Sequence, residues 1–278
     1  METQYKSFSK INLGLKILNK RKDGFHNLES IFIQLNFGDY LKFIPSDTFN
    51  LKIIDNKGID TNNNTIIDAI NEIKKVSNLK LKHRIELKKN IPIGSGLGGG
   101  SSNAACTLKA INQLYNLCLS NNQLMQLALK IGSDVPFFID GGIQYATGRG
   151  EMLERIKFNH MKNKNILLVF PSFSISTKWA YQNLIKDLSN NLKSTKFRPL
   201  ANKIDWSLFE NDFENVVKST YPEILDIKNA LLNNGAIYSG LSGSGSTMFG
   251  IYNDNGSLIN AKNALSNYQT YATCPSNE

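Results

Sequence analysis

"NIPIGSGLGGGSSNAACTLKAINQL", residues 90–114, places five glycines and three serines in the nine positions 94–102 and then takes on helical spacing, with Ala104, Leu108, Ile111 and Tyr115 on one face. Glycines at this density strip the backbone of side chains. A bare turn feeding a helix presents free N–H groups at the positive end of the helix dipole, so the ligand it suits best is a phosphate. Several devices share that chemistry, and most of them fail here. The stretch holds a literal GxGxxG at Gly94, Gly96 and Gly99. A dinucleotide site would also need an acidic residue about 20 positions on, at the end of the next strand. That region reads YNLCLSNNQ, with no acid and no strand pattern. No Lys-Ser or Lys-Thr follows the last glycine, which removes the Walker pattern, and the protein-kinase signatures HRD and DFG are absent.

Outward from the glycines the chain reads as mixed α/β. Strands are expected at 28–36, 40–45 and 49–54, and LKHRIEL at 81–87 alternates, with Leu81, His83, Ile85 and Leu87 on one face. NNTIIDAINEIKKVS at 63–77 has the apolar spacing of a helix after an Asn/Thr start that can cap it. A further helix at 121–132 ends on Gly132, which suits a left-handed cap. ILLVF at 166–170 reads as a buried strand, 177–188 as a helix and 189–205 as a long polar connection. PEILDIKNALLNNG at 222–235 has Pro at a helix start and Gly at its end. A second glycine-rich stretch, GLSGSGSTMFGIY, follows at 240–252.

The 278 residues, 41% hydrophobic and 20% charged, are enough for one large or two modest domains with a sizeable core. No apolar run is long enough for a membrane span, and METQYKSFSK lacks the apolar stretch of a secretory signal, so a cytoplasmic protein is expected. Cys106, Cys118 and Cys274 form no CxxC pair and read as buried or partly buried thiols rather than a disulfide or zinc framework. The net charge of +9 fits an anionic ligand and also nucleic acid. The lysines are scattered among Asn and Asp, as on a solvated surface.

The segment P-I-G-S-G-L-G-G-G-S-S-N-A-A at 92–105 resembles the nucleotide-binding motif of the GHMP kinases. SKINLGL at 9–15 is similar to their N-terminal motif and GLSGSGSTMFG at 240–250 to their C-terminal glycine motif, in the expected order and across nearly the whole chain. KINLGLKILNKRKDGFHNLESIF at 10–32 and GSDVPFFIDGG at 132–142 resemble one branch in particular, which phosphorylates a cytidine-diphosphate-linked methylerythritol in the non-mevalonate isoprenoid route. The resemblance implies an α/β (α+β) two-domain fold. Residues 1–153 would form an ATP-binding domain related to a ribosomal-protein domain, residues 154–278 a ferredoxin-like domain contributing to the substrate site, with the active site in the cleft between them. It further implies ATP and Mg2+ as cofactors, a small-molecule substrate, no nucleic-acid or membrane partner, and a monomer or weak homodimer.

An alcohol is a weak nucleophile at neutral pH, so the transfer benefits from a carboxylate that takes its proton and a nearby cation. By resemblance these are Asp134 and Lys10. Read alone, Asp134 is a helix N-cap, and Lys10 is a surface lysine in an unexpectedly small and apolar setting, S-F-S-K-I-N-L. For ATP, the resemblance points to Pro92, Gly94, Ser95, Gly96, Leu97, Gly98, Gly99, Gly100, Ser101 and Ser102 around the phosphates. Asn64, Thr65 and Ile66 would line the adenine pocket, although Asn64 also reads as a cap. No acid lies in the glycine loop, so no protein ligand of magnesium is named. For the substrate, the resemblance nominates Asn12, Phe25, His26, Thr177, Tyr181, Ser242, Gly243 and Gly245. Phe25 stands where many family members carry tyrosine, which keeps a stacking face and loses a hydroxyl. Without the resemblance, Thr177 and Tyr181 read as a helix start and a core aromatic, His83 and His160 as structural or exposed, and Arg149 as a turn arginine that can neutralise a phosphate. Two other readings stay open, a sister kinase on a different small alcohol and a basic RNA-binding module.

Overall fold

The structure, a computed structural model, describes residues 1–55, 58, 60–184 and 204–276. It comprises two compact units, each drawn from separate runs of chain. The first is Met1–Ser9, Phe37–Pro92 and Gly98–Gly141, and the second is Lys10–Asn36, Ile93–Leu97 and the chain from Gly142 onward. Two long strands, β1 (Thr3–Lys20) and β2 (His26–Pro45), contribute to both. The two strands expected at 28–36 and 40–45 are thus one. Gly38 lies inside it because the chain passes close there: a Cβ at Gly38 would lie 2.2 Å from the Ser7 carbonyl oxygen.

In the first unit β4 (His83–Lys88) pairs in parallel with β3 (Asn50–Ile54) and antiparallel with β2. The register aligns Leu41 with Leu87, Phe43 with Ile85, Leu51 with Ile85 and Ile53 with Leu87, so the alternation legible in the sequence becomes one buried apolar face. His83, in the same row, is bonded through Nδ1 to the Tyr115 hydroxyl at 2.6 Å, a structural role. Helix α1 (Thr65–Ser77) is capped by Asn64, whose side chain accepts the Ile66 N–H, and it buries Ile66, Ile70 and Ile73. It packs on α2 (Gly99–Leu114) and α3 (Asn121–Ile131), with the short α4 (Phe137–Asp140) after them. Burial of each such isoleucine stabilises the unit by about 2 kcal/mol. Gly132 is not the left-handed cap expected of it: its backbone is extended (φ 178°, ψ 157°), a conformation open to any residue, because the chain leaves α3 in an extended turn toward Asp134.

In the second unit β2 pairs antiparallel with β5 (Ile143–Thr147), and β5 with β6 (Met152–Arg155). A separate antiparallel sheet has the order β10-β7-β9-β8, formed by β7 (Asn165–Phe170), β8 (Tyr238–Leu241), β9 (Met248–Tyr252) and β10 (Gln269–Thr273). Its core joins Leu167, Val169, Met248 and Tyr252 to Phe213 and Val217 of α6 (Asp212–Thr220), Ile227 and Leu231 of α7 (Glu223–Asn233), and Leu258 of α8 (Asn255–Ala264). Helix α5 (Thr177–Gln182) ends at Asn183, earlier than the expected 177–188. Residues 185–188 and most of the expected connection 189–205 lie outside the described residues. Cys106 is partly buried, and burial pushes its thiol up to about 12. Cys118 and Cys274 are exposed, contrary to expectation, since both follow the ends of elements rather than face a core. Among the described residues, no helix is long and apolar enough to cross a membrane.

Candidate active site

In the first unit, the glycines end in a helix start without a capping side chain. Gly98 sits at the N-cap of α2 in the left-handed conformation (φ 70°, ψ 23°), which a glycine adopts without strain, and it supplies no capping side chain. The first intrahelical bond runs from the Ser102 N–H to the Gly98 carbonyl at 2.9 Å. The N–H groups of the turn before it have no intrahelical acceptor, and no acidic residue in the first turn competes for them. Thr65 donates its hydroxyl to the Gly100 carbonyl at 2.7 Å, which ties the capped start of α1 to the first turn of α2.

Beneath this turn lies a buried polar network that the sequence reading did not find. Asp39 accepts the Lys89 ammonium, the Asn103 amide at 2.9 Å and the backbone N–H groups of Asn90 and Ile91 at 2.8 and 2.9 Å. Asn103 also donates to Ser7 Oγ at 2.9 Å, and Ser7 Oγ lies 2.7 Å from Ser102 Oγ. The Ser102 side chain is therefore engaged in holding α2, whereas Ser101 is less buried. Asp39, in β2, and Lys89, just after β4, are both buried, as charged residues are when paired; the sequence around them carries no local signal of that pairing. Asp134 lies in the turn 132–136, half-buried, and does not cap α4, whose N-cap position is Pro136.

In the second unit the two glycine motifs are knitted together. Ser242 donates its hydroxyl to the Gly96 carbonyl at 3.0 Å, and the Thr247 N–H reaches the Ser95 carbonyl at 3.2 Å. Gly96 (φ 78°) lies so close that a Cβ there would sit 2.1 Å from the Ser242 carbonyl oxygen, and one at Gly243 would sit 3.5 Å from Asn12 Oδ1. Gly94 (φ 66°) has more room, with Ser174 Cβ at 3.5 Å. Leu97 accepts the Lys10 backbone N–H at 3.0 Å.

Lys10 is 4% exposed, so it is not the surface lysine its residue type suggests. Its ammonium donates to Asn12 Oδ1 at 2.5 Å and stands 4.4 Å from the centre of the Phe32 ring. Asn12 in turn donates to Ser30 Oγ at 3.0 Å.

The other nominated residues fall in three groups. The His26 and Tyr181 rings are stacked, centres 5.1 Å apart and planes 18° apart, and Phe213 meets Tyr181 edge-on at 4.9 Å. Burial lowers the pKa of His26, so the neutral imidazole is favoured. Thr177 Oγ1 lies 3.0 Å from Ser244 Oγ, which joins the start of α5 to the second glycine loop. Phe25 is 52% exposed at the DGF turn between β1 and β2, with the Arg149 guanidinium 4.8 Å from its ring centre. Gly24 at that turn has φ 86° and nothing near its Cβ position, so the turn, not packing, requires the glycine.

Asn211, which the sequence reading passed over, supports the second glycine loop. Both hydrogens of its amide are used, one on the Leu241 carbonyl and one on the Gly243 carbonyl, each at 2.8 Å, while its Oδ1 caps α6 at the Phe213 N–H. Asn211→Ala removes the cap and leaves two carbonyls without that donor, so urea unfolding should report a loss of about 2–4 kcal/mol. A loss under about 0.5 kcal/mol, the scale of an ordinary surface substitution, would refute this clamp. The signal for the cap was present in N-D-F-E; nothing local marked the contact with a loop 30 residues away.

Among the described residues, no group of three His, Cys, Asp or Glu side chains is arranged to hold a metal ion.

Residues 64–142 match the N-terminal domain of the GHMP kinases, and residues 190–270 match the GHMP kinases C terminal domain. The chain is 38% identical over 267 residues to the 4-diphosphocytidyl-2-C-methyl-D-erythritol kinase of Prosthecochloris aestuarii, with 94% of this chain and 93% of that one covered. It is 39% identical over 279 residues to the protein of the same name from Thermodesulfovibrio yellowstonii, covering 96% and 94%. Among solved structures, a 4-(cytidine 5'-diphospho)-2C-methyl-D-erythritol kinase superimposes with a TM-score of 0.84 at 26% identity, covering 99% of this chain and all of that one. The mevalonate kinase of Methanococcus jannaschii shares the fold, with a TM-score of 0.74 at 16% identity over 100% and 99% of the two chains.

Proposed function

The chain belongs to the GHMP kinases and, within them, to the 4-diphosphocytidyl-2-C-methyl-D-erythritol kinases, and on that premise we propose how this ATP-dependent small-molecule kinase recognises its substrate and transfers phosphate. The substrate is 4-(cytidine 5'-diphospho)-2-C-methyl-D-erythritol, phosphorylated on its 2-hydroxyl in the non-mevalonate route to isoprenoid precursors. Residues 1–153 are assigned to ATP binding, and residues 154–278 complete the substrate site.

The observation that carries the cytidine assignment is the stack of His26 on Tyr181. A pyrimidine offers flat faces and a rim of alternating donors and acceptors. A neutral imidazole held at a fixed tilt by a second ring presents one donor and one acceptor nitrogen, which suits that rim. Phe25 is exposed at the neighbouring turn and offers a stacking face without a hydroxyl. The second glycine loop, with Ser242, Gly243 and Gly245, faces the diphosphate in this reading: the Thr177–Ser244 hydroxyl pair keeps one hydrogen to donate, while Ser242 spends its hydroxyl on Gly96 and its N–H on Thr247, and Gly245 its N–H on Ser242, so those two shape the loop. Arg149 adds a positive charge near Phe25.

The phosphates of ATP are received by the glycine loop from Gly94 to Ser101 and by the uncapped start of α2. Asn64, Thr65 and Ile66, at the start of α1, line the adenine side. Asp134 accepts the proton of the attacking hydroxyl, and Lys10, held by Asn12, orients it and steadies the charge that develops. Magnesium would be held mainly by the nucleotide with a serine hydroxyl, Ser101 being the less buried of the pair; it would neutralise phosphate charge during transfer.

ADP release with magnesium-ATP tests the substrate assignment against four alcohols: the cytidine-diphosphate methylerythritol, free methylerythritol phosphate, homoserine and mevalonate. Turnover with the first alone is expected. Preferential turnover of any other member would overturn the cytidine contacts, and no turnover of any would overturn the kinase roles given to Asp134 and Lys10.

A further inference from the structure

Lys10 is held by an acceptor, Asn12 Oδ1, whose own orientation has to be fixed, because an asparagine amide has nearly the same shape after a half-turn. What fixes it is Ser30, on β2. The Ser30 hydroxyl donates to the Gly14 carbonyl at 2.6 Å, and a carbonyl only accepts, so the single hydroxyl hydrogen is committed there. The remaining lone pairs of Ser30 Oγ face Asn12 Nδ2 at 3.0 Å, where only a donor is tolerated. The amide is therefore set with its NH2 toward Ser30 and its oxygen toward the ammonium of Lys10. Turned the other way, it would bring NH2 against the ammonium and oxygen against an oxygen whose hydrogen is already used. Ser30, Asn12 and Lys10 are all buried, so bulk water offers no easy relief from that mismatch. The backbone contributes as well: Gly14 has φ 67°, a conformation favoured by glycine, which sets the direction of the carbonyl that receives the hydroxyl.

We propose that Ser30 is a positioning residue for phosphoryl transfer: through Gly14 and Asn12 it fixes the place and direction of the Lys10 ammonium. The inference rests on the role given to Lys10 above. Ser30 lies on the same face of β2 as Phe32, the ring beneath the Lys10 ammonium, so one strand supplies both the floor and the hydrogen-bonded hold. Nothing in the local sequence announces it, since a serine among Leu28, Ile31, Phe32 and Ile33 reads only as a small strand residue.

The experiment is a double-mutant cycle on the full chain, with steady-state ADP release measured for wild type, Ser30→Ala, Lys10→Ala and the double variant, each checked for folding by circular dichroism. Ser30→Ala is expected to lower kcat about tenfold to a hundredfold, the scale of a misplaced reacting group, while the KM for ATP stays within about twofold, since the change is confined to the transfer step. In the Lys10→Ala background the same serine change is expected to have no further effect on kcat, because the group it positions is gone. Ser30→Cys keeps the volume and weakens the donor, and it replaces the alanine variant if that one fails to fold; a smaller drop in kcat is then expected. The proposal is overturned if the serine variants leave kcat unchanged while Lys10→Ala abolishes turnover, or if the serine effect persists at full size without Lys10, which is what a purely structural role would give. If Lys10→Ala itself leaves kcat unchanged, the role of Lys10 fails and takes this inference with it, a result distinct from either of those.

Discussion

Asp134→Ala is expected to lower kcat by about 10²–10⁴, the contribution of a positioned general base, with the KM for ATP little changed. The carboxylate lies in the turn 132–136, after α3 has ended and before the N-cap position of α4, so removing it takes no cap from either helix. The loss should therefore appear in the transfer step rather than in nucleotide binding. Asp134→Asn sharpens the test, because an amide keeps the shape and one acceptor oxygen but does not take a proton at neutral pH. Both variants should show the same large drop in single-turnover rate when they melt near the wild-type temperature. A folded Asp134→Asn protein that turns over within about tenfold of wild type would remove the base from the mechanism, because a general base is worth at least 10² in rate.

Gly96→Ala is expected to have the largest structural effect of any single methyl added to the glycine loop. The new Cβ would lie 2.1 Å from the Ser242 carbonyl oxygen and 3.0 Å from that of Gly245, and both are backbone atoms of a loop already held by Asn211. Residue 96 also has φ 78°, where a side chain alone costs about 1–2 kcal/mol. The two glycine motifs must then separate, and the variant should lose at least about 3 kcal/mol of stability, in the range of the larger overpacking penalties, and bind ATP at least tenfold more weakly. Gly94→Ala is the control within the same loop: it has similar φ, but its nearest neighbour is a side-chain carbon at 3.5 Å, so only the backbone term remains. Gly100→Ala separates folding from binding. Its Cβ would meet only Thr65, at 3.6 Å, and alanine favours a helix, so stability should be kept while ATP binding weakens if phosphate rests on that turn. Equal unfolding midpoints for Gly94→Ala and Gly96→Ala would contradict this account.

The sequence by itself determined several of the elements and the chemistry class. The run of glycines into helical spacing became the uncapped start of α2, the alternation around residue 85 became a buried sheet face, and Asn64 became the cap it resembles. These are local matters, governed by backbone freedom and periodicity within a few residues, and a sequence displays them directly. Likewise the order of the three glycine-bearing motifs is a property of the chain, and it suffices to indicate the kinase superfamily.

Tertiary structure decided everything that depends on which distant backbone comes near. Gly38 reads as an interruption of a strand, yet β2 runs through it, because the missing side chain makes room for Ser7. Lys10 is a surface residue by type, set in a small and apolar stretch, and it is buried, with Asn12 Oδ1 accepting from its ammonium and the Phe32 ring beneath it. Asn211 and Ser30 carry no reading in the sequence, yet Asn211 caps α6 and holds the loop at 241–243, and Ser30 fixes an amide. In each case the deciding partner is a backbone carbonyl, a ring or an amide brought close by the fold. A hydrogen bond or a steric contact falls away within an ångström or so of its ideal distance. Residue type records only the capacity to make such a contact, and the fold decides which capacity is used.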